Sequence, residues 1–128
     1  MKNLILAATA MIAMAGAAAA DPILGSWRTI PDDNGNSGLI EVAQCGDAYC
    51  GTLVAAFDAS GAAMASDNIG RLLIWDTRPA GGNEYRGKVY SPDRDREYNS
   101  RLVLNGDSLS VSGCVMGICR EGGTWTRQ

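Results

Sequence analysis

Histidine is missing from this chain of 128 residues. Its absence removes the most common general base and the most common metal ligand of proteins. Ser-His-Asp and Cys-His catalytic groups and histidine-bound zinc are therefore excluded. No other pairing of a nucleophile with a base can be assembled, and the acidic residues form no convergent group. We therefore expect a protein that is not an enzyme and that has neither a metal nor a cofactor.

Positive charge is also scarce. The chain has 11 Lys and Arg residues against 14 Asp and Glu residues, which gives a net charge of −3. Binding to nucleic acid phosphates requires a basic surface. Nucleic acid is therefore not an expected partner.

The amino terminus has the pattern of a secretory signal peptide, with Lys2, an apolar run from Leu4 to Met14 and small residues up to Ala20. A membrane anchor is the alternative, but the apolar run is shorter than the ~20 residues of a spanning helix and no basic residue follows it. We predict cleavage after Ala20. Residues 21–128 then form one domain in the periplasm or the medium, without stable membrane insertion.

The remaining chain is predicted to be all-β. Turn-forming residues interrupt it at short intervals, and no helical period persists for three turns. Asn105-Gly106-Asp107 is typical of a hairpin turn, and Gly122-Gly123 of a bulge. Residues 58–70 are predicted to be a loop. The expected strands are residues 24–30, 39–44, 51–57, 71–76, 84–91, 97–104, 108–114 and 119–127.

Eight consecutive strands with one apolar face each must hide that face and their edges. A closed up-and-down antiparallel β-barrel does both. Its interior is wide enough either to be filled by side chains or to hold one small ligand. Two packed sheets in a sandwich are the alternative architecture.

The four cysteines occur at the same interval twice, as Cys45 with Cys50 and Cys114 with Cys119. An even number of cysteines in a small exported domain indicates disulfides. If each interval is a hairpin loop, its two cysteines face each other, which favours these pairs over the two crossed pairings. A four-thiolate zinc site and a redox dithiol are weaker alternatives, because the spacing is too long for either.

Three residues near the chain ends predict how the barrel closes. Gly25 and Trp27 lie on the first strand, and Arg127 lies on the last. Because these strands are neighbours in a closed barrel, Arg127 can cover the Trp27 ring with a cation–π contribution of about 1 kcal/mol. The arrangement resembles the base of lipocalins, and its predicted role is structural.

Two acidic stretches have functional alternatives. Asp32, Asn34 and Asn36 alternate as in a calcium loop, but the required glycine and distal Glu are not in place. The acids within residues 93–97 have the pairing of a glycosidase site. They alternate with arginines beside a proline, which favours a neutralised surface turn.

Three blocks of sequence resemble the bacterial family called domain of unknown function 2147: DPILGSWRT from Asp21, IEVAQCGDAYCGTLV from Ile40, and the long segment from Gly87 to Arg127. The resemblance implies a small exported protein with a lipocalin-like fold and an apolar cavity for a ligand. The chain departs from the family at Arg94 and in residues 58–75. The resemblance therefore does not identify the ligand.

The leading hypothesis is an exported protein that binds a small apolar or amphipathic molecule inside the barrel. The alternative is that the same side chains simply fill a narrow interior, since the chain has one Phe and many alanines. The residues predicted to face inward, and hence to bind the ligand, are Val42, Leu53, Ile74, Tyr85, Val89, Tyr98, Leu102, Leu109 and Val111.

A second hypothesis is a protein–protein interaction module, such as a periplasmic protease inhibitor. In that case the loops form the functional surface. Only residues 21–23 precede the first predicted strand, which leaves a short tail for insertion into an enzyme cleft.

Overall fold

The computed structural model describes residues 20–128, so the predicted signal peptide lies almost wholly outside the described residues. Within this range the chain forms strands and turns, and it has no helix long and apolar enough to span a membrane. The strands are β1 (Gly25–Arg28), β2 (Ser37–Cys45), β3 (Ala48–Phe57), β4 (Ala63–Met64), β5 (Leu72–Pro79), β6 (Glu84–Ser91), β7 (Arg96–Asn105), β8 (Ser108–Val115) and β9 (Ile118–Arg127).

Eight of these strands form a closed antiparallel barrel. Consecutive strands pair with each other, and β1 pairs with both β2 and β9, which joins the two ends of the sheet. The ninth, β4, is a two-residue strand that pairs with the end of β3. Because the sheet is continuous around the ring, the predicted barrel is confirmed and the sandwich alternative is wrong.

The strands differ from the predicted ones mainly at their ends. β3 begins at Ala48 instead of residue 51, and β5 continues to Pro79 instead of residue 76. The predicted loop at residues 58–70 contains β4, because Asp58 accepts hydrogen bonds from the amides of Ser60 and Ala62 and so turns the chain back onto β3. Short Ala-rich strands of this kind lack the alternation that predicts a strand.

A bulge in β5 explains one glycine of the adjacent strand. Asp76 has a φ of 52°, and the register between β5 and β6 shifts between Trp75 and Arg78. A Cβ atom on Gly87 would lie 2.7 Å from the carbonyl oxygens of both Trp75 and Asp76. The bulged backbone of β5 therefore occupies the space that a side chain at position 87 needs.

Replacing Gly87 with alanine is expected to lower the free energy of unfolding by about 1–3 kcal/mol, because backbone atoms cannot move aside as a flexible side chain can. Urea denaturation measures the change. Gly122→Ala is the matched control, since its nearest neighbour would be at 3.7 Å. We expect the control to change stability by less than about 0.5 kcal/mol. Equal effects at the two glycines would show that the bulge does not constrain position 87.

The two ends of the barrel differ. One end carries the short turns at residues 46–47, 80–83 and 106–107 together with the segment that precedes β1, and we call it the closed end. The other carries the connections at residues 29–36, 58–71, 92–95 and 116–117, and we call it the open end. The buried core runs between them and consists of Ile23, Trp27, Ile40, Val42, Leu53, Leu73, Ile74, Tyr85, Val89, Tyr90, Leu102, Leu104, Leu109, Val111 and Trp125.

Two disulfides join the predicted pairs. Cys45 is bonded to Cys50 across the β2–β3 turn at the closed end, with 5.6 Å between their Cα atoms. Cys114 is bonded to Cys119 across the β8–β9 turn at the open end. The hairpin geometry selects these partners, and the crossed pairings and the four-thiolate zinc site are wrong.

Candidate functional site

Arg127 and Trp27 meet at the closed end of the barrel. The Cζ atom of Arg127 lies 4.2 Å from the centroid of the Trp27 ring, and Trp27 is fully buried. The guanidinium also donates hydrogen bonds to the carbonyl oxygens of Pro22 and Leu24. Gly25 has a φ of 123° and lies directly beside this guanidinium. The contact therefore fixes the start of β1 onto the end of β9.

The segment before β1 covers the rest of the closed end. Ile23 is fully buried, and its carbonyl oxygen accepts a 2.9 Å hydrogen bond from Trp27 Nε1. Asp21 accepts a hydrogen bond from the hydroxyl of Tyr85. Burial, together with this neighbouring carboxylate, raises the pKa of Tyr85 well above its usual value. Tyr85 therefore stays a neutral donor that holds the segment in place.

A cavity of about 620 Å³ opens at the opposite end of the barrel. Its walls are mainly apolar side chains, and its rim consists of the connections at residues 29–36 and 92–93 together with Ser66 and Asn68. Ser37, Tyr90 and Ser91 also line it. The wall residues are Leu53, Ala56, Met64, Leu73, Val89, Val111 and Trp125. Cavities of about 300–1,000 Å³ hold small molecules in proteins.

Small residues make room for this cavity. Gly38, Ala56, Gly122 and Gly123 lie on its surface. The predicted bulge is present in β9, where Gly123 pairs with Val111 and Gly122 is the extra residue. A Cβ atom on Gly123 would lie 3.0 Å from Ile30 Cδ1. The bulge thus lies directly against Ile30 of the first loop.

The predicted interior residues divide into three groups. Leu53, Val89 and Val111 line the cavity. Tyr98 is partly buried and packs against the core, and a Cβ atom on Gly113 would lie 3.2 Å from its ring. The remaining residues are buried in the core away from the cavity wall: Val42, Ile74, Tyr85, Leu102 and Leu109.

Trp125 is the main cavity residue that the sequence reasoning did not place inside. Without a bulge, the register set by Cys114 and Cys119 would put Trp125 opposite Ser108, on the outer face. The extra residue at Gly122 shifts the register, so that Trp125 lies opposite the buried Leu109. The signal in the sequence is the Gly-Gly pair. One extra residue at the predicted bulge shifts the register of β9 by one and turns Trp125 inward.

The acidic stretches shape turns at the open end. Asp32 Oδ1 accepts hydrogen bonds from the amides of Asn34 and Asn36, which folds the loop that borders the cavity. Asp95 accepts a 2.7 Å hydrogen bond from the hydroxyl of Tyr90, and this bond raises the pKa of Tyr90. Among residues 20–128, no group of three acidic or cysteine side chains is arranged to hold a metal ion.

The tip of the β8–β9 hairpin is a second exposed feature of the open end. Val115, Met116 and Ile118 are exposed to 55%, 97% and 67%, respectively. The disulfide between Cys114 and Cys119 lies directly beneath them. A short apolar tip on a cross-linked base is a surface that can contact another molecule.

The closed barrel and the Arg127–Trp27 contact define a lipocalin-like fold. Among solved structures, the chain is similar to one described as "Protein HP1028 from the human pathogen Helicobacter pylori belongs to the lipocalin family". The TM-score is 0.62 at 17% sequence identity, over 82% of each chain. At this identity the similarity shows the fold alone.

The chain belongs to the family described as "Uncharacterized protein conserved in bacteria (DUF2147)", whose model matches residues 25–127. A comparison with curated proteins gives no match. The family match confirms the resemblance inferred from the sequence blocks.

Proposed function

We propose that this protein binds a small apolar or amphipathic molecule in the cavity at the open end of its barrel. The observation that carries the proposal is a cavity of about 620 Å³ with apolar walls, open at one end and closed at the other. Burial of apolar surface contributes roughly 25 cal/mol per Å², so such walls favour an apolar ligand. A lipocalin-like fold is compatible with this role.

The barrel interior contains both a cavity and a packed core. The two hypotheses for the interior, a bound ligand and a filling of side chains, therefore each apply to part of it. Ile74, Leu102 and Leu109 are fully buried and do not line the cavity, so they fill part of the interior. Leu53, Val89 and Val111 border the open half. The proposed ligand therefore occupies only part of the barrel interior and is a small molecule.

A neutral fluorescent dye tests the proposal. Nile red is expected to bind with a blue-shifted, enhanced emission, since its ring system leaves water for the apolar walls. Ala56→Trp should weaken binding at least tenfold, because Ala56 lines the cavity and is buried. A fluorescence titration gives both affinities.

The neighbouring alanine provides the control. Ala55 is only partly buried and does not line the cavity, so Ala55→Trp should leave the affinity within about twofold of the original. Thermal unfolding confirms that both variants fold. Dye binding that is equal in all three proteins, or absent from the original, would contradict the proposal.

The cysteines support a proposal about the cellular location. Disulfides persist in oxidising compartments, and this bacterial chain has two. We propose that the protein acts in the periplasm or outside the cell after removal of the predicted signal peptide. We further propose that it acts by binding alone and not as an enzyme.

The exposed hairpin tip favours protein–protein interaction as a second candidate function. Met116 is almost fully exposed beside the disulfide of Cys114 and Cys119. A rigid loop of this kind loses little conformational entropy when it inserts into a partner's cleft. If a periplasmic protease is the partner, the protein should inhibit it, and Met116→Ser should weaken inhibition while dye binding is unchanged. Loss of dye binding together with inhibition would assign both effects to the cavity.

A further inference from the structure

We propose that the ligand of this cavity is an amphiphile with a cationic head group, which lies at the rim while its apolar part lies between the cavity walls. This inference rests on the proposed function and names the chemical class of its ligand. The wall side chains carry no charge, whereas three rim residues are acidic: Asp32, Asp33 and Asp93. No Lys or Arg is found among the residues of 20–128 that line the cavity.

Two of the three rim carboxylates are available to a ligand. Asp32 accepts hydrogen bonds from two amides of its own loop. Asp33 and Asp93 are exposed and belong to two connections that face each other across the mouth of the cavity. Neither carboxylate forms an ion pair within the described residues, so a bound cation would be their first partner.

Two arginines near the open end stack on aromatic rings: Arg28 on Phe57 at 4.1 Å, and Arg71 on Tyr90 at 3.6 Å. Arg94, Arg96 and Arg120 are exposed at the same end, and none of them lines the cavity, whereas the three aspartates do. The field at the mouth is therefore set mainly by carboxylates, which attract a cationic head and repel an anionic one.

The test compares three amphiphiles that share one alkyl chain. Decyltrimethylammonium, decyl maltoside and decyl sulfate carry cationic, neutral and anionic heads. Each compound is titrated against bound Nile red at concentrations below micelle formation, and the loss of dye fluorescence measures its affinity. We expect the cationic compound to bind about tenfold more tightly than the anionic one in dilute buffer. This difference should largely disappear in 1 M sodium chloride, where the Debye length is about 3 Å.

Variants locate the effect. The double change Asp33→Asn and Asp93→Asn should reduce the difference between the two charged compounds to threefold or less, with binding of the maltoside unchanged. A control with the same net charge, Glu41→Gln with Asp47→Asn, changes carboxylates away from the cavity mouth and should retain the difference. Loss of the difference in both variants would assign it to net charge and overturn the inference.

The outcomes also separate this inference from the proposed function. Equal affinities for the three compounds, or tighter binding of decyl sulfate, would overturn the cationic ligand while leaving a binding cavity in place, provided that Ala56→Trp still weakens Nile red binding at least tenfold. If no compound binds and Nile red gives no signal, both the inference and the proposed function are wrong.

Discussion

Replacing Trp27 with alanine should lower the free energy of unfolding by about 3–5 kcal/mol, the range of large aromatic truncations in protein cores. Trp27 is fully buried, donates a hydrogen bond to Ile23 and lies beneath Arg127. Its loss leaves a void at the closed end and removes the surface on which the guanidinium rests. Urea or thermal denaturation measures the change.

Trp75 offers a matched control for this substitution. Its ring is only partly buried, on a strand at a distance from the junction of β1 and β9. Trp75→Ala should therefore cost only about 1 kcal/mol. Equal losses for the two tryptophans would contradict the structural role that we assign to the closed end.

Removing both disulfides is expected to cost about 4 kcal/mol, which is a large part of the stability of a small domain. Each bond closes a short loop, for which the chain-entropy relation gives about 2 kcal/mol. The two bonds lie at opposite ends of the barrel, so their contributions should add. The variants to compare replace each cysteine pair with alanines, first separately and then together.

Urea denaturation of the three variants gives the individual costs. A combined loss much larger than the sum of the single losses would show that the two hairpins are coupled through the barrel. Unchanged stability in all three would contradict this prediction. It would show that the disulfides do not lower the conformational entropy of the unfolded chain.

Much of the fold was predictable because its signals are local. Ser108 to Cys114 alternates polar and apolar residues, which predicts a strand with one buried face, and β8 has this pattern. The spacing of the cysteines predicts hairpins with facing cysteines, and Cys114 does lie opposite Cys119, whereas Cys45 and Cys50 are bonded diagonally across their hairpin. The Gly-Gly pair in the last strand predicts a bulge, which is present at Gly122.

Other features depend on contacts between distant parts of the chain. The bulge at Asp76 shows in the sequence only through its effect on Gly87, eleven positions later and on another strand. Which inward residues fill the core and which border a cavity depends on the summed volume of side chains from all strands. Ile74 and Val89 are paired on neighbouring strands and were both predicted to face inward, yet only Val89 borders the cavity.

The location of the cavity also follows from the whole fold. The sequence indicated that Arg127 covers Trp27 but not which set of loops surrounds an opening. The structure places the cavity at the end opposite this contact, bordered by residues 29–36. Loops rich in Asp, Asn and Gly have no hydrophobic pattern from which their packing could be predicted.

The most direct test of a ligand-binding cavity is native mass spectrometry of the protein purified from its own cells. The account predicts a species that carries one small molecule, which is released on unfolding and is missing from Ala56→Trp prepared in the same way. A uniformly ligand-free protein, or the same bound mass in both proteins, would contradict it.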